Sequence, residues 1–138
     1  MWTQRPSRPA FDALRAVSET GLETFDGIAP ATVAWSSVMR VTAQIGRQQT
    51  DMTRYLLIES DRERSIFLPE SEELWIPFLT AMTKRLRDVV PFDVWGPRLL
   101  AEQESMITLY THPDLPKKYS AYEDAFEWFM QRHPDYRR

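Results

Sequence analysis

The sequence predicts an α+β fold: a bent antiparallel β-meander packed with an amphipathic helix, followed by a C-terminal aromatic helix. Three observations predict it. In residues 31–46, ATVAWSSVMRVTAQIG, the odd positions Val33, Trp35, Met39, Val41, Ala43 and Ile45 are apolar, whereas Arg40, Thr42 and Gln44 occupy even ones. That period of two belongs to a strand with one buried face. Beyond Pro69 the period changes: Leu74, Trp75, Phe78, Leu79, Met82 and Leu86 recur at steps of three and four, the signature of an amphipathic helix. Near the end, Tyr119, Tyr122, Ala125, Phe126 and Phe129 share one helical face, with Trp128 to its side.

In chain order, residues 1–9 carry Arg5, Pro6, Arg8 and Pro9 and read as a flexible lead; residues 10–138 read as a single domain. Phe11, Leu14 and Val17 are spaced for a short helix ending at Gly21. LETFDGIAPATVAW reads as strand, turn and strand, with Asp26-Gly27 as the turn signal. The strand over 31–46 is expected to bend near Ser36-Ser37. A loop at 46–51, a central strand at 52–60 (MTRYLLIES), a charged turn at 61–64 (DRER) and a strand ending at Pro69 follow. Residues 22–69 thus form an antiparallel meander of four or five strands.

The helix after Pro69 is expected to start near 72–74. Ser71 would cap it, Glu72 and Glu73 would sit at the positive end of its dipole, and Pro77 would lie in the first turn. Pro91 closes it. Gly96-Pro97 is expected to break any helix begun at Phe92. MITLYT at 106–111 reads as a strand, HPDLPKK as a loop and 120–133 as the aromatic helix, with Ser120 and Glu123 in capping-box register.

Composition removes several function classes. Without cysteine there are no disulfides, thiolate metal sites or cysteine nucleophiles. A formal net charge of −3 with mixed signs argues against a broad nucleic-acid footprint. No stretch approaches the ~18 apolar residues of a membrane span, and the first residues lack an apolar run of signal-peptide length, so the expectation is a cytoplasmic protein. With four glycines, no Walker loop, dinucleotide glycine pattern or nucleophile elbow is present. No cofactor and no metal are expected. The two histidines both fall in His-Pro-Asp tripeptides, His112-Pro113-Asp114 and His133-Pro134-Asp135. The same tripeptide marks the J-domain of Hsp70 co-chaperones, but there it joins two antiparallel helices. Here the first copy follows a strand, and a turn is the preferred reading.

The segments VAWSSVMRV, TRYLLIES, SIFLPESEELWIPFLTAMTKRL, PFDVWGPRL and MITLYTH, in that order over about 22–111, carry a family resemblance. The chain resembles small bacterial domains of unknown function with a pleckstrin-homology-like fold. The resemblance rests on apolar anchors and brings no assigned chemistry. Some proteins of this shape look like immunity partners of bacterial toxins, which implies a protein partner. The segment before residue 20 and the C-terminal helix lie outside the match.

The leading functional expectation is therefore a non-catalytic protein-binding module, in its most concrete form an immunity or inhibitor protein occluding a toxin. Its candidate partner-binding residues are Asp61, Glu63, Glu70, Glu72, Glu73 and Trp128. Each has an ordinary alternative: the three later glutamates suit a helix start, and DRER suits a solvated turn. A second expectation is a phosphorylated headgroup or small ligand held by Arg40, Arg47 and Arg54; a small enzyme ranks last. Architecturally, Trp35, Met39, Val41 and Ile45 should meet Trp75, Phe78 and Met82. An exposed Trp35 or Val41 would overturn the whole fold.

Overall fold

The computed structural model describes residues 10–48, 51–61, 64–101 and 106–115. A seven-stranded, mostly antiparallel sheet carries two helices. Its strands are β1 (Asp12–Val17), β2 (Gly21–Phe25), β3 (Pro30–Ala34), β4 (Val38–Gln48), β5 (Asp51–Ser60), β6 (Ser65–Pro69) and β7 (Met106–Thr111). Helices α1 (Trp75–Arg85) and α2 (Phe92–Ala101) lie between β6 and β7. The order across the sheet is β3-β2-β1-β6-β5-β4-β7.

The expected helix at the start is a strand. β1 pairs antiparallel with β2 and parallel with β6, and a register shift between Leu14 and Ala16 marks a bulge at Arg15. The bulge explains the misleading spacing. Leu14 and Val17 both pack against the core although three positions apart, because one inserted residue restores the phase. β1 also breaks the expected meander. It lies between β2 and β6, so β3 ends at one edge of the sheet while β4 starts near the other. The link is a 3₁₀ turn at Trp35–Ser37, where the bend was expected.

Asp26 drives the β2–β3 turn. Its carboxylate oxygen accepts the amides of Ile28 and Ala29, each at 2.8 Å, and Gly27 takes φ 95°, a conformation that favours glycine.

Trp35 and Val41 are 7 % and 0 % exposed. The indole of Trp35 donates to the Ser18 carbonyl at 2.9 Å and stacks on Phe78 of α1, ring centres 5.9 Å apart. Val41, Ala43, Leu56, Ile58, Ile66 and Leu68 share one face of the sheet and one apolar cluster with Trp75, Phe78, Met82, Trp95 and Leu99 of the helices. Removing each of these large side chains from water contributes about 2–3 kcal/mol. The alternation along 31–46 is not strict. A bulge between Val38 and Arg40 brings Val38, an even position, into the core beside Val41. Thr42, expected on the polar face, is also buried.

α1 begins at Trp75, and Pro77 is its third residue, where a missing N–H breaks no helical bond. No side chain caps it: Leu74 precedes the first helical residue, and Glu72 and Glu73 lie in the turns before it. Ser71 is therefore not its cap. α2 runs through Gly96-Pro97 rather than breaking there. Pro97 lacks the N–H that would reach the Asp93 carbonyl, but both residues are exposed, so water can satisfy that oxygen. The expected helix at 120–133 lies outside the described residues.

Candidate functional site

The starts of the two helices meet around one arginine. Arg54 of β5 lies on the helix-covered side of the sheet and grips Glu70 with two N–H groups: Nε donates to Oε1 at 3.1 Å and Nη2 donates to Oε2. Its remaining terminal nitrogen, Nη1, donates to the Gly96 carbonyl of α2 at 3.0 Å, and the guanidinium lies 5.1 Å from the centre of the Phe92 ring. A Cβ at Gly96 would come within 3.0 Å of Phe92 and 3.1 Å of Arg54 Nη1. Glycine at this position is what lets ring and cation close on the helix. Beneath them Trp95 is fully buried, perpendicular to Phe92 at 4.8 Å and edge-on to Trp75 at 6.1 Å. Among the described residues its indole N–H has no hydrogen-bond partner.

Glu72 and Glu73 are exposed next to this clamp and make no ion pair among the described residues. Close by in the chain is Ile76, 65 % exposed on α1, while Phe92 and Val94 expose part of the α2 start. Exposed carboxylates and exposed apolar side chains thus stand at the starts of two helices that Trp75 and Trp95 hold together. The arrangement has the composition of a contact for a basic, partly apolar partner.

The structure divides the sequence candidates. Glu70, Glu72 and Glu73 come together, but Glu70 is committed to Arg54. Asp61 is exposed at the other end of β5, roughly 20 Å away by strand rise. Glu63 and Trp128 lie outside the described residues. Arg40 is on the opposite face from Arg54, held by Glu59 through bonds of 2.8 and 3.2 Å. Arg47 is a β4 position paired with Met52. Ile76, Phe92 and Gly96 were not among the sequence candidates. Exposed apolar residues have no sequence signal of their own, and Gly96-Pro97 read as a break.

Elsewhere, Tyr55 donates to Gln44 Oε1 at 2.8 Å, and the Gln44 amide donates to Thr42 at 3.2 Å, on the face away from α1 and α2. Burial raises the hydroxyl pKa of Tyr55 and of Tyr110. The first His-Pro-Asp tripeptide is a turn: the His112 amide donates to Met39, and the His112 ring Nδ1 accepts the Asp114 amide at 2.9 Å. A cleft of about 450 Å³ lies between residues 87–90 and β7, with Arg87, Asp88, Thr108 and Thr111 in its wall. No group of three or more His, Asp or Glu placed to hold a metal ion occurs among the described residues. No helix among them is long and apolar enough to cross a membrane.

Comparison with protein families, with characterised proteins and with solved structures gives no match.

Proposed function

We propose that this chain is a non-catalytic protein-binding module that presents Glu72 and Glu73, with Ile76 and Phe92, to a basic surface on its partner. The observation that carries this reading is the pair of exposed carboxylates before α1, with no ion pair among the described residues, together with the exposed Ile76 and Phe92. Like charges steer wrong partners away, and the apolar centre supplies the affinity. In its most concrete form the partner is a bacterial toxin whose basic active site is occluded. The pleckstrin-homology-like resemblance belongs to this proposal, in which a sheet with helices on one face is a rigid platform for the contact.

Headgroup binding ranks second because Arg40 and Arg54 are each held by a glutamate. The test is calorimetry of the purified chain with the toxin-like product of an adjoining gene. The double variant E72K/E73K is expected to bind at least about tenfold more weakly, and the wild-type affinity should fall with salt. Equal binding by the variant would remove the site. A phosphoinositide headgroup that raises the melting temperature while no protein binds would replace the reading.

A further inference from the structure

The two edges of the sheet are finished differently. At the β7 edge the chain before α2 folds alongside, and the Val90 amide donates to the Leu109 carbonyl at 3.1 Å. At the β3 edge no hydrogen bond from the described residues arrives. The direction of its backbone groups follows from the β1–β2 turn. The Ser18 amide donates to the Gly21 carbonyl at 2.9 Å, and the Gly21 amide faces the Ser18 hydroxyl at 3.3 Å, so Gly21 points toward β1. Backbone direction alternates along a strand. Leu22 and Thr24 therefore face β3, where they pair with Val33 and Ala31. Pro30, Thr32 and Ala34 are left pointing outward. Proline is at home there, since its missing N–H would have met solvent.

We infer that the β3 edge pairs with the β3 edge of a second copy of this chain. The outward groups are an acceptor at Pro30, a donor and an acceptor at Thr32, and a donor at Ala34. Under a two-fold axis at Thr32 they complete each other. Each Thr32 exchanges both bonds with its counterpart, and each Ala34 amide meets the Pro30 carbonyl opposite, with no demand on the proline nitrogen. The two-fold axis keeps the faces matched, so Val33 and Ala31 of both copies extend the same apolar side. The edge strand itself is uncharged: no charged residue occurs from 28 to 39, although exposed edges are commonly guarded by lysine or other charges, and the nearest charge, Glu23, lies one strand in.

Sedimentation equilibrium of the full chain from about 10 μM to about 1 mM tests this. An edge this short is expected to give a Kd on the order of 100 μM. T32P removes the central donor at an outward position, so it should abolish the dimer and leave the melting temperature unchanged. T32K and T32E should each weaken self-association about fivefold or more, and an equimolar mixture of the two should restore it. That rescue decides the matter even if T32P fails to fold. A wild-type monomer at about 1 mM, or a dimer indifferent to all three substitutions, overturns the inference. So does amide-exchange protection at Thr32 and Ala34 that does not change with concentration, because the edge is then filled from within the chain.

Discussion

Arg54 and Arg40 stand on neighbouring strands and each grips a glutamate with two hydrogen bonds, but on opposite faces of the sheet. Arg54 lies under the helices with its side chain 17 % exposed, and it reaches past Glu70 to a backbone carbonyl and an aromatic ring of α2. Arg40 and Glu59 lie on the face away from α1 and α2. The chemistry of the two pairs is the same, but their surroundings are not. The two pairs are about equally withdrawn from water, with Arg40 and Glu59 26 % and 18 % exposed and Glu70 34 % exposed, so what sets Arg54 apart is its further bond to the Gly96 carbonyl and its place against the Phe92 ring. Arg54 thus ties β5 to Glu70 beyond β6 and to α2, whereas Arg40 and Glu59 join β4 to β5.

Substitution separates the two most sharply. R54A is expected to lower unfolding stability in urea by about 2–3 kcal/mol, because the bonds to Glu70 and to the Gly96 carbonyl and the contact with Phe92 are lost together. R40A should cost about 1 kcal/mol or less. Equal losses would abolish the distinction.

G96A comes next, with a net loss of about 1 kcal/mol. Alanine is the better helix former, by about 1 kcal/mol, but its Cβ crowds Phe92 and Arg54. In an R54A background one of those obstacles is gone, so the same change should turn neutral or stabilising. A double-mutant cycle reads that reversal.

On the face away from α1 and α2, Y55F should cost about 0.5–1 kcal/mol near neutral pH, through the lost bond to Gln44. The pH dependence has a definite sign. Burial raises the tyrosine pKa in the folded state, so the unfolded chain ionises first, near 10.0. Stability from Tyr55 is complete below that value and is lost as pH rises through the folded pKa. Alkaline melting curves of Y55F should be correspondingly flatter, and Tyr110 should leave a residual slope. Smallest of all, E72K/E73K should change stability by no more than about 0.5 kcal/mol, as expected for carboxylates that touch no cation.

These contrasts also show where the sequence was legible. Trp35, Val41, Phe78 and Met82 announced the core because a repeated period records a buried face whatever the neighbours are. Asp26-Gly27 announced a turn because its chemistry is local. Arg15 hid a strand, since a bulge turns a period of two into a local spacing of three. Gly96-Pro97 hid a helix because its cost depends on which side faces water. The candidate site was half legible. Glu72 and Glu73 were found by their type, but the pairing of Glu70 with Arg54 spans sixteen positions and only the sheet brings it about. Ile76 and Phe92 gain their meaning from exposure, which a single sequence does not record.

The sheet has one seam. Among the described residues, strands β3, β2 and β1 join the backbone ladder of the other four through the parallel contact of Asp12 with Ile66 and Ala13 with Phe67, strapped by the Asp12–Arg64 ion pair and the Phe11–Phe67 rings. This has a consequence for biosynthesis. The amino-terminal strands leave the ribosome long before their neighbour in β6 has been translated. Until then, three strands with an uncharged outer edge must wait unpaired along β1. The seam can close only once β6 has emerged, and the interval before it closes is when a nascent copy is most open to capture by another.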